Sequence, residues 1–383
     1  MNAVLFIIII FTCLLAYKIV SFSRKEEGYK RWKAGIFAGG YTPRKKNTGS
    51  TADKDRKSNS PSKYSGSNRF KQEAISWCTS LLPVTEAGLR KILDRVPAQY
   101  TSFSLRKRSG GYRPIYAPGK QLMAVQQAIY HRILISAPIH PAAVGFRPGA
   151  SIVENARPHL GNEHVLKIDL HDFFPSIRST RVRMVFEQMG YPRPVARILS
   201  ELCCLKRKLP QGAPTSPALS NIIALPLDKK MVALADNWGL VYTRYADDLT
   251  FSGSSLSKEL LLPMIQQIIE EEGFTLNRKK TRFLSGHKRK IITGISISSG
   301  EKLTIPKAKK REIRKNVHFI LTKGLKEHQS HIGSTDPVYL KRLLGYLAYW
   351  HSIEPNNRYV IDSMATLQPA IRTYHSSFIN FLK

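Results

Sequence analysis

The feature that most constrains the fold is a pair of adjacent carboxylates, Asp247 and Asp248, between two short runs that favour β-structure. These runs cover residues 241–245 and 249–251, and their β-branched and aromatic side chains predict a hairpin with the acids at its turn. Two neighbouring anions on an apolar hairpin repel each other, and a divalent cation is their natural counter-charge. The alternative is a polar turn without a ligand, which is the common outcome for an isolated Asp-Asp pair.

A third acidic residue follows another β-favouring run. Residues 165–169 are apolar apart from Lys167 and end in Asp169, and the aromatic residues Phe173 and Phe174 follow shortly after. The pattern predicts a buried strand that delivers a carboxylate at its end, a placement typical of metal ligands in phosphoryl transfer. Carboxylates suit Mg²⁺, which binds through a few of them together with substrate phosphates.

Together the three carboxylates predict a catalytic site for two Mg²⁺ ions, with Mn²⁺ as a substitute. Asp169 and Asp247 are the expected shared ligands, and Asp248 is the expected outer ligand. Two such ions about 3.5–4 Å apart activate an attacking hydroxyl and stabilise a departing pyrophosphate.

The loop between these acids has a pattern of its own. Residues 209–217 read Leu-Pro-Gln-Gly-Ala-Pro-Thr-Ser-Pro, in which Gly212 permits close approach of the backbone to a ligand. The Thr-Ser-Pro end is typical of a helix start and predicts a helix over residues 218–236. In the order strand-Asp, Gln-Gly loop with its helix, and Tyr-Ala-Asp-Asp hairpin, the chain resembles the palm of reverse transcriptases.

Two further elements resemble the bacterial retron branch of these enzymes. One is Asn-Ala-x-x-His over residues 155–159, and the other is Ile-Thr-Gly over residues 292–294, where the family has Val-Thr-Gly. The resemblance extends over residues 71–383. Since the His element has no obvious catalytic role in the family, we do not expect His159 to act as a general base.

The resemblance implies an α+β right-hand polymerase fold, with fingers and palm over residues 71–305 and a helical thumb that recognises RNA over residues 306–383. Residue patterns are compatible with this architecture. They predict a fingers hairpin over residues 100–105 and 112–116, helices over 121–136, 257–272, 307–322 and 338–350, and a strand over 291–297.

The resemblance also implies roles for single residues. Arg113, on the predicted fingers hairpin, would hold the triphosphate, because a guanidinium fork binds phosphate oxygens bidentately. Phe174 would lie under the sugar and disfavour a ribose 2′-hydroxyl, while Gln211 and Gly212 would line the nucleotide. Lys280 would neutralise charge or donate a proton near the pyrophosphate. Six basic residues are expected to contact template or RNA backbone, although a solvated basic surface is the alternative: Arg106, Lys107, Arg108, Lys307, Lys310 and Arg314.

Retron enzymes copy their own structured noncoding RNA into branched msDNA, beginning at a guanosine 2′-hydroxyl. The resemblance therefore implies that RNA, the msDNA product and dNTPs as partners. No RNase H pattern follows the predicted thumb, so we expect a host RNase H to remove the template. Known retrons act with an effector protein in phage defence, which makes an effector a further expected partner.

Two other classes of function remain open at this stage. One is a non-retron reverse transcriptase of the abortive-infection, diversity-generating or group II intron type. The other is a membrane-tethered RNA-binding scaffold with an inactive palm. The chain carries 60 Lys and Arg against 27 Asp and Glu, a formal charge of +33, which predicts a polyanionic partner under each of these alternatives.

The N-terminal residues predict an attachment to the membrane. Residues 3–22 are predominantly apolar, with Lys18 as their only charged residue, and a helix of about 20 residues spans a bilayer core. Basic residues follow directly, so the positive-inside rule places the catalytic domain in the cytoplasm. We therefore expect a single-pass inner-membrane anchor over residues 1–23 and a basic, disordered linker over residues 24–70. A buried core helix or a misassigned start codon is the alternative to the anchor.

Overall fold

The computed structural model describes residues 64–107, 110–286 and 288–368. The predicted anchor over residues 1–23 and one predicted RNA contact, Arg108, lie outside these ranges. Among the helices of the described ranges, none is both long enough and apolar enough to cross a bilayer.

The described elements alternate between helices and short strands. In chain order they are α1 (Tyr64–Leu81), α2 (Glu86–Asp94), β1 (Tyr100–Arg106), β2 (Tyr112–Pro118), α3 (Lys120–Ile129), α4 (Ile152–Ala156), β3 (His164–Asp169), α5 (Phe173–Ser176), α6 (Ser179–Gln188), α7 (Arg193–Cys203), α8 (Ser216–Ile223), α9 (Leu225–Asn237), β4 (Val241–Tyr245), β5 (Asp248–Gly253), α10 (Lys258–Glu271), β6 (Arg282–Leu284), β7 (Ile291–Ile292), β8 (Ile295–Ser296), α11 (Lys307–Lys323), α12 (Leu325–His331) and α13 (Tyr339–Ile353). Residues 358–368 are also helical.

Some element boundaries differ from the predicted ones. α1 begins at Tyr64, inside the predicted linker. The predicted helix over residues 121–136 is α3 followed by a π-helical turn at Tyr130–Leu134. Two helices replace the predicted helix over residues 218–236, since α8 ends at Ile223 and α9 begins at Leu225. α8 does begin with Ser216 and Pro217, as the helix-start signal indicates.

The chain divides into two compact units. The described part of the first unit covers residues 64–140, 171–227 and 272–274. Its strands β1 and β2 form the predicted antiparallel hairpin, with Arg113 opposite Leu105. Helices α1, α2, α3 and α6 contact α7, which buries one whole face of its amphipathic surface.

The described part of the second unit covers residues 141–170, 228–271 and 275–368 apart from residue 287. It contains a four-stranded antiparallel sheet in the order β4-β5-β3-β6. β3 is central and buried, as expected for its apolar run, while β4 and β5 form the predicted hairpin.

A hydrophobic core in the second unit joins this sheet to the C-terminal helices. Val165 of β3 and Ile292 of β7 belong to the same buried cluster as Ile313 of α11 and Leu347 and Trp350 of α13. Each of these side chains is almost completely removed from solvent. The sheet that carries the predicted palm and the helices of the predicted thumb therefore fold as one packed body.

The predicted strand over residues 291–297 is wrong. The chain instead reverses between β7 and β8, which pair antiparallel through Ile292 and Ile295. Thr293 and Gly294 form the turn with φ values of 45° and 88°. A two-residue hairpin turn with positive φ at both positions matches the twist of the flanking strands, so the apolar run folds back on itself.

Candidate active site

Strand pairing brings the three predicted acids to one end of the sheet in the second unit. β3 and β5 are antiparallel, and their register places Asp169 opposite Asp248. Asp247 lies in the turn between β4 and β5, and its carbonyl oxygen accepts a hydrogen bond of 2.9 Å from the backbone N of Leu170. Backbone pairing alone therefore places the three acidic residues at the same end of the sheet.

A neighbouring segment supports the acidic turn. The backbone N of Arg244 donates to the carbonyl of Ala142 at 2.8 Å, and the backbone N of Val144 donates to the carbonyl of Arg244 at 2.9 Å. Gly145 then passes so close to the turn that a Cβ added there would lie 2.7 Å from the backbone N of Ala246. Ala246 itself has a φ of 59°, an uncommon conformation that these contacts hold in place.

A buried ion pair fixes the turn from inside the unit. Arg244 and Asp228 have fully buried side chains, with Arg244 Nε 2.7 Å from Asp228 Oδ1 and a second guanidinium nitrogen 2.6 Å from Oδ2. Another guanidinium nitrogen of Arg244 donates to the carbonyl of Ala246 at 3.1 Å, and the hydroxyl of Tyr242 donates to Asp228 at 2.9 Å. This bidentate pair therefore links α9 to the backbone of the acidic turn.

Asp169 is held by the segment that precedes β6. Asn277 donates to Asp169 twice, from its side-chain amide to Oδ1 and from its backbone N to the carbonyl oxygen, each at 2.8 Å. Lys280 Nζ lies 2.8 Å from Asp169 Oδ2. The hydrogen bond to Asp169 and the charges of Asp169, Asp247 and Asp248 raise the pKa of Lys280, so this ammonium group stays protonated at neutral pH.

The surroundings of Asp247 and Asp248 disfavour the charged forms of their carboxyl groups. Burial raises the pKa of Asp247, and repulsion from Asp248 and Asp169 raises it further. Burial also raises the pKa of Asp248, an effect that Lys167 opposes and Asp169 reinforces. A divalent cation with a preference for oxygen ligands fits this donor set, because it would offset both burial and repulsion.

The side chains do not form a closed metal cage. Within the described ranges, no group of three or more His, Cys, Asp or Glu side chains converges as a set of metal ligands. Both carboxylate oxygens of Asp169 already have partners, Asn277 and Lys280. The fit to a cation therefore rests on the chemistry of the acids and on their shared strand ends.

Behind the hairpin, His159 joins its two strands. Its Nδ1 lies 2.6 Å from Ser252 Oγ of β5, and its Nε2 lies 2.8 Å from Thr243 Oγ1 of β4. Asn162 also donates to Ser252 Oγ at 2.7 Å. The ring is fully buried, and burial lowers the pKa of His159 to about 4. His159 is therefore a neutral structural histidine that bridges the two strands of the acidic hairpin, in line with the expectation that it is not a general base.

The two retron-like elements meet in the same region. The side-chain amide of Asn155 donates to Thr293 Oγ1 at 3.4 Å, and Thr293 donates to the carbonyl of Ile152 at 3.4 Å. Thr293 belongs to the β7–β8 turn, while Asn155 lies one helical turn before His159. The Asn-Ala-x-x-His and Ile-Thr-Gly elements therefore form one connected support for the hairpin.

This arrangement predicts a specific acid sensitivity. Because the folded state holds His159 neutral while the unfolded chain takes up a proton below about pH 6.5, stability is lost as the pH falls from 6.5 towards 4. The expected loss from this residue is about 3 kcal/mol over that window. Urea unfolding at a series of pH values measures it.

The His159→Asn variant should show a flatter dependence of the free energy of unfolding on pH in this window. The control His318→Asn replaces an exposed histidine and should keep the dependence of the unaltered protein. Equal slopes in all three proteins would contradict the assignment.

Four of the five predicted nucleotide-binding residues, Arg113, Phe174, Gln211 and Gly212, belong to the first unit, whereas Lys280 belongs to the second. The carbonyl of Gln211 accepts a hydrogen bond of 2.8 Å from the backbone N of Tyr116, on the strand that carries the exposed Arg113. Gly212 has a φ of 117°, and a Cβ there would lie 2.7 Å from the carbonyl oxygen of Tyr116. Gln211 Oε1 is buried without a hydrogen-bond partner among the described residues. The unit thus places Arg113 and the Gln-Gly loop on adjoining backbone.

The two aromatic residues after β3 differ in burial. Phe173 is buried against Phe274 with ring centroids 5.4 Å apart, so it is a core residue. Phe174 remains half-buried, and its role under the nucleotide sugar stays a prediction.

The predicted RNA contacts differ in how free their side chains are. Arg106, Lys107 and Lys307 are exposed. Lys310 forms an ion pair of 2.7 Å with Glu354, and Arg314 lies 5.1–5.5 Å from two aromatic ring centroids in the C-terminal helices. The last two cations therefore have structural partners, which the basic composition of α11 did not indicate.

Sequence reasoning missed Arg244, Asp228 and Asn277 as parts of the site. The available signal was a charged residue inside an apolar strand, since Arg244 interrupts the β4 run. Buried charges are paired, so such an arginine demands an acidic partner. The sequence alone did not indicate which acid that would be.

Comparisons with known proteins agree with this geometry. Residues 105–321 match the family model described as reverse transcriptase (RNA-dependent DNA polymerase). Retron Ec86 reverse transcriptase of Escherichia coli is 37% identical over 269 residues, which cover 68% of this chain and 84% of that protein. Retron Mx65 reverse transcriptase of Myxococcus xanthus is 35% identical over 276 residues, covering 67% and 62% respectively.

A solved structure of telomerase from Candida albicans with a fragment of telomeric RNA aligns at a TM-score of 0.40 and 9% identity, over 73% of this chain and 64% of that one. On the family match and the retron relatives, the chain belongs to the retron reverse transcriptases, a family of RNA-directed DNA polymerases.

Proposed function

We propose that this polymerase copies its cognate structured noncoding RNA into branched msDNA by nucleotidyl transfer from dNTPs. The observation that carries the proposal is the strand register that sets Asp169 against Asp248 beside the turn of Asp247, with Lys280 at the same carboxylates. The similarity to the Ec86 and Mx65 retron reverse transcriptases also supports it.

The residues of the site divide the work of the reaction. Asp169, Asp247 and Asp248 would hold two Mg²⁺ ions, or Mn²⁺ in their place. When bound, these ions supply Lewis-acid activation of the primer hydroxyl and charge balance for the leaving pyrophosphate. Lys280, which stays protonated beside Asp169, adds a positive charge and a proton donor on that side.

The first unit would bind the incoming nucleotide. Arg113 is exposed on β2, and the backbone of Gln211 is tied to the same strand. We assign Arg113 to the triphosphate, Gln211 and Gly212 to the lining of the nucleotide, and Phe174 to exclusion of a ribose 2′-hydroxyl. We assign the exposed residues Arg106, Lys107 and Lys307 to contacts with the RNA backbone, and the thumb to recognition of the RNA. Lys310 and Arg314 could bind RNA only by leaving their partners in the C-terminal helices.

Expression of the gene with its flanking upstream DNA tests the proposal. Total nucleic acid would be resolved on a denaturing gel before and after treatment with RNase and with debranching enzyme. A short, discrete DNA whose mobility shifts on debranching is the expected result. Polymerase activity on a generic primed RNA without such a DNA would overturn the msDNA product and favour a different template.

We also propose that the polymerase acts at the inner membrane in phage defence, together with an effector protein and with a host RNase H that removes the template. The apolar residues 3–22 followed by basic residues support the anchor. The resemblance to retrons supports the defence role.

The anchor has a simple test. The full-length protein should sediment with membranes and resist a high-salt wash, because salt screens surface charge but leaves a buried apolar helix in place. A variant that begins after residue 23 should move to the supernatant. Recovery of the full-length protein in the supernatant after lysis and washing would rule the anchor out.

A further inference from the structure

A short basic turn in the first unit has an unusual backbone. Leu205 and Lys208 exchange backbone hydrogen bonds of 2.9 and 3.0 Å, so Lys206 and Arg207 are the two central residues of a hairpin turn. Their φ values are 48° and 63°. Positive φ at both central positions is the signature of a type I′ turn.

Lysine and arginine are unfavourable residues for the central positions of a type I′ turn. Type I′ turns strongly favour Asn-Gly, because asparagine tolerates and glycine freely adopts the left-handed region. Lysine and arginine have no such preference, so holding them there stores strain. Backbone contacts fix the turn in this state, since the carbonyl of Arg207 accepts a hydrogen bond of 2.9 Å from the backbone N of Ser179. Strained residues of this kind cluster at ligand-binding positions.

The side chains of the turn are free to meet a ligand. Lys206, Arg207 and Lys208 are all exposed. Within the described part of the chain, the side chains of Lys206 and Arg207 form no hydrogen bond or ion pair. The charged groups of Lys206 and Arg207 are therefore accessible from solvent.

The turn borders a groove with a cationic lining. The groove has a volume of about 510 Å³ and contains four cationic side chains, from Arg183, Arg197, Lys206 and Arg207, against the single carboxylate of Glu201. Arg197 is paired with Glu201 at 3.0 Å and Arg183 with Glu187 at 3.4 Å, so among the described residues the excess charge of the groove comes from Lys206 and Arg207. A concave surface with excess positive charge concentrates a polyanion.

We propose that the Lys206–Arg207 turn and its groove form a binding site for the phosphate backbone of RNA. The proposal rests on the proposed function and deepens it, since it adds the Lys206–Arg207 turn to Arg106 and Lys107 as RNA contacts of the first unit. RNA is the partner that the charge favours, because guanidinium and ammonium groups on a rigid turn pair with successive phosphates without regard to sequence.

A double variant separates a structural role from a binding role. Lys206→Asn with Arg207→Gly removes both charges and supplies the residue pair that a type I′ turn prefers. Its midpoint of thermal unfolding should equal or exceed that of the unaltered protein. Its affinity for a fluorescein-labelled RNA hairpin, measured by anisotropy with the full-length protein, should fall about 20-fold near 0.15 M salt.

The salt dependence gives a second readout. The slope of log K against log[salt] should become shallower by about 1.4–1.8 in the double variant, since each lost phosphate contact contributes about 0.7–0.9. Lys206→Asn alone, with Arg207 retained, should show about half of that change. The matched control Lys91→Gln with Lys229→Gln removes two exposed charges from helices elsewhere and should leave the slope unchanged.

An unchanged slope in the double variant, or an equal change in the control, would overturn the site. DNA synthesis on a primed RNA by the unaltered protein is measured in the same preparations. If that synthesis is present while the slope is unchanged, the proposed function stands and only the turn site fails. If synthesis is absent from the unaltered protein, the proposed function fails independently of the turn.

Discussion

Replacing Asp247 and Asp248 with asparagine is expected to abolish DNA synthesis while leaving RNA binding intact. Asparagine has nearly the same shape as aspartate but carries no charge to hold a divalent cation. Because metal assistance stabilises the transition state by several kcal/mol and each 1.4 kcal/mol is a factor of ten in rate, the loss should be about a thousandfold or more. Single-turnover extension of a primed RNA measures this loss.

The same variant should be more stable than the unaltered protein when divalent cations are absent. Burial and mutual repulsion raise the pKa of Asp247, and burial raises that of Asp248, so the folded state holds protons that the unfolded chain has released. Folding stability therefore falls as the pH rises past the ordinary carboxyl range, and the neutral asparagine side chains escape this penalty. A higher midpoint of thermal unfolding in the variant would confirm that lost activity does not reflect lost folding.

The control for this experiment is Asp94→Asn, an identical change at an exposed site on α2. It should leave synthesis unaltered. Continued polymerisation by the Asp247 and Asp248 double variant would show that the catalytic carboxylates lie elsewhere. Absence of synthesis in the unaltered protein, together with tight RNA binding, would favour the RNA-binding scaffold.

Replacing Asp228 with asparagine is expected to reduce the free energy of unfolding by about 3–5 kcal/mol. The substitution leaves the guanidinium of Arg244 buried without its counter-charge, and both side chains of the pair are fully buried, at 0% exposure. Burial acts to lower the pKa of Arg244, and Asp228 more than offsets this, so that the pKa is raised overall. Without Asp228 only the cost of burial remains, and a guanidinium does not escape that cost by losing a proton, because arginine stays charged in proteins. Urea unfolding measures the change.

The location of the pair makes the effect larger than that of a surface ion pair. Arg358 and Asp362 form an exposed pair one helical turn apart, with nitrogen and oxygen 3.9 Å apart. Asp362→Asn is therefore the matched control, and its effect should be below about 0.5 kcal/mol. Similar losses in the two variants would show that burial does not set the strength of the Asp228 interaction.

DNA synthesis should also decline in Asp228→Asn at temperatures where the variant is folded. Arg244 donates to the carbonyl of Ala246, the residue that precedes the two acids that we propose as catalytic. With the guanidinium no longer clamped by two carboxylate oxygens, the turn loses an internal support. Small displacements of reacting groups reduce rates strongly, so we expect a lower rate of catalysis without loss of RNA affinity.

Much of the site follows from the sequence, because its signals are local. β-branched and aromatic residues predicted β4 and β5 on either side of Asp247, and the apolar run before Asp169 predicted the buried strand β3. The order of these elements with the Gln-Gly loop then indicated a polymerase palm. Each of these predictions depends on neighbours within a few positions, where backbone geometry alone restricts the outcome.

Local patterns failed where two conformations suit the same residues. The run over residues 291–297 has the composition of a strand, but Thr293 and Gly294 adopt positive φ and reverse the chain. The support that Asn155 gives to Thr293 exists only in the folded unit. The surrounding packing thus selected the turn over the extended strand that the composition favours.

The sequence by itself determined the carboxylates that we propose for catalysis and the strands that carry them. Only the tertiary structure decided their partners: His159 with Thr243 and Ser252, Asp228 with Arg244, and Asn277 and Lys280 with Asp169. These pairs are separated by between 16 and 111 positions along the chain. Such contacts depend on which faces of distant elements pack together, and burial then makes each polar group require the one partner within its reach.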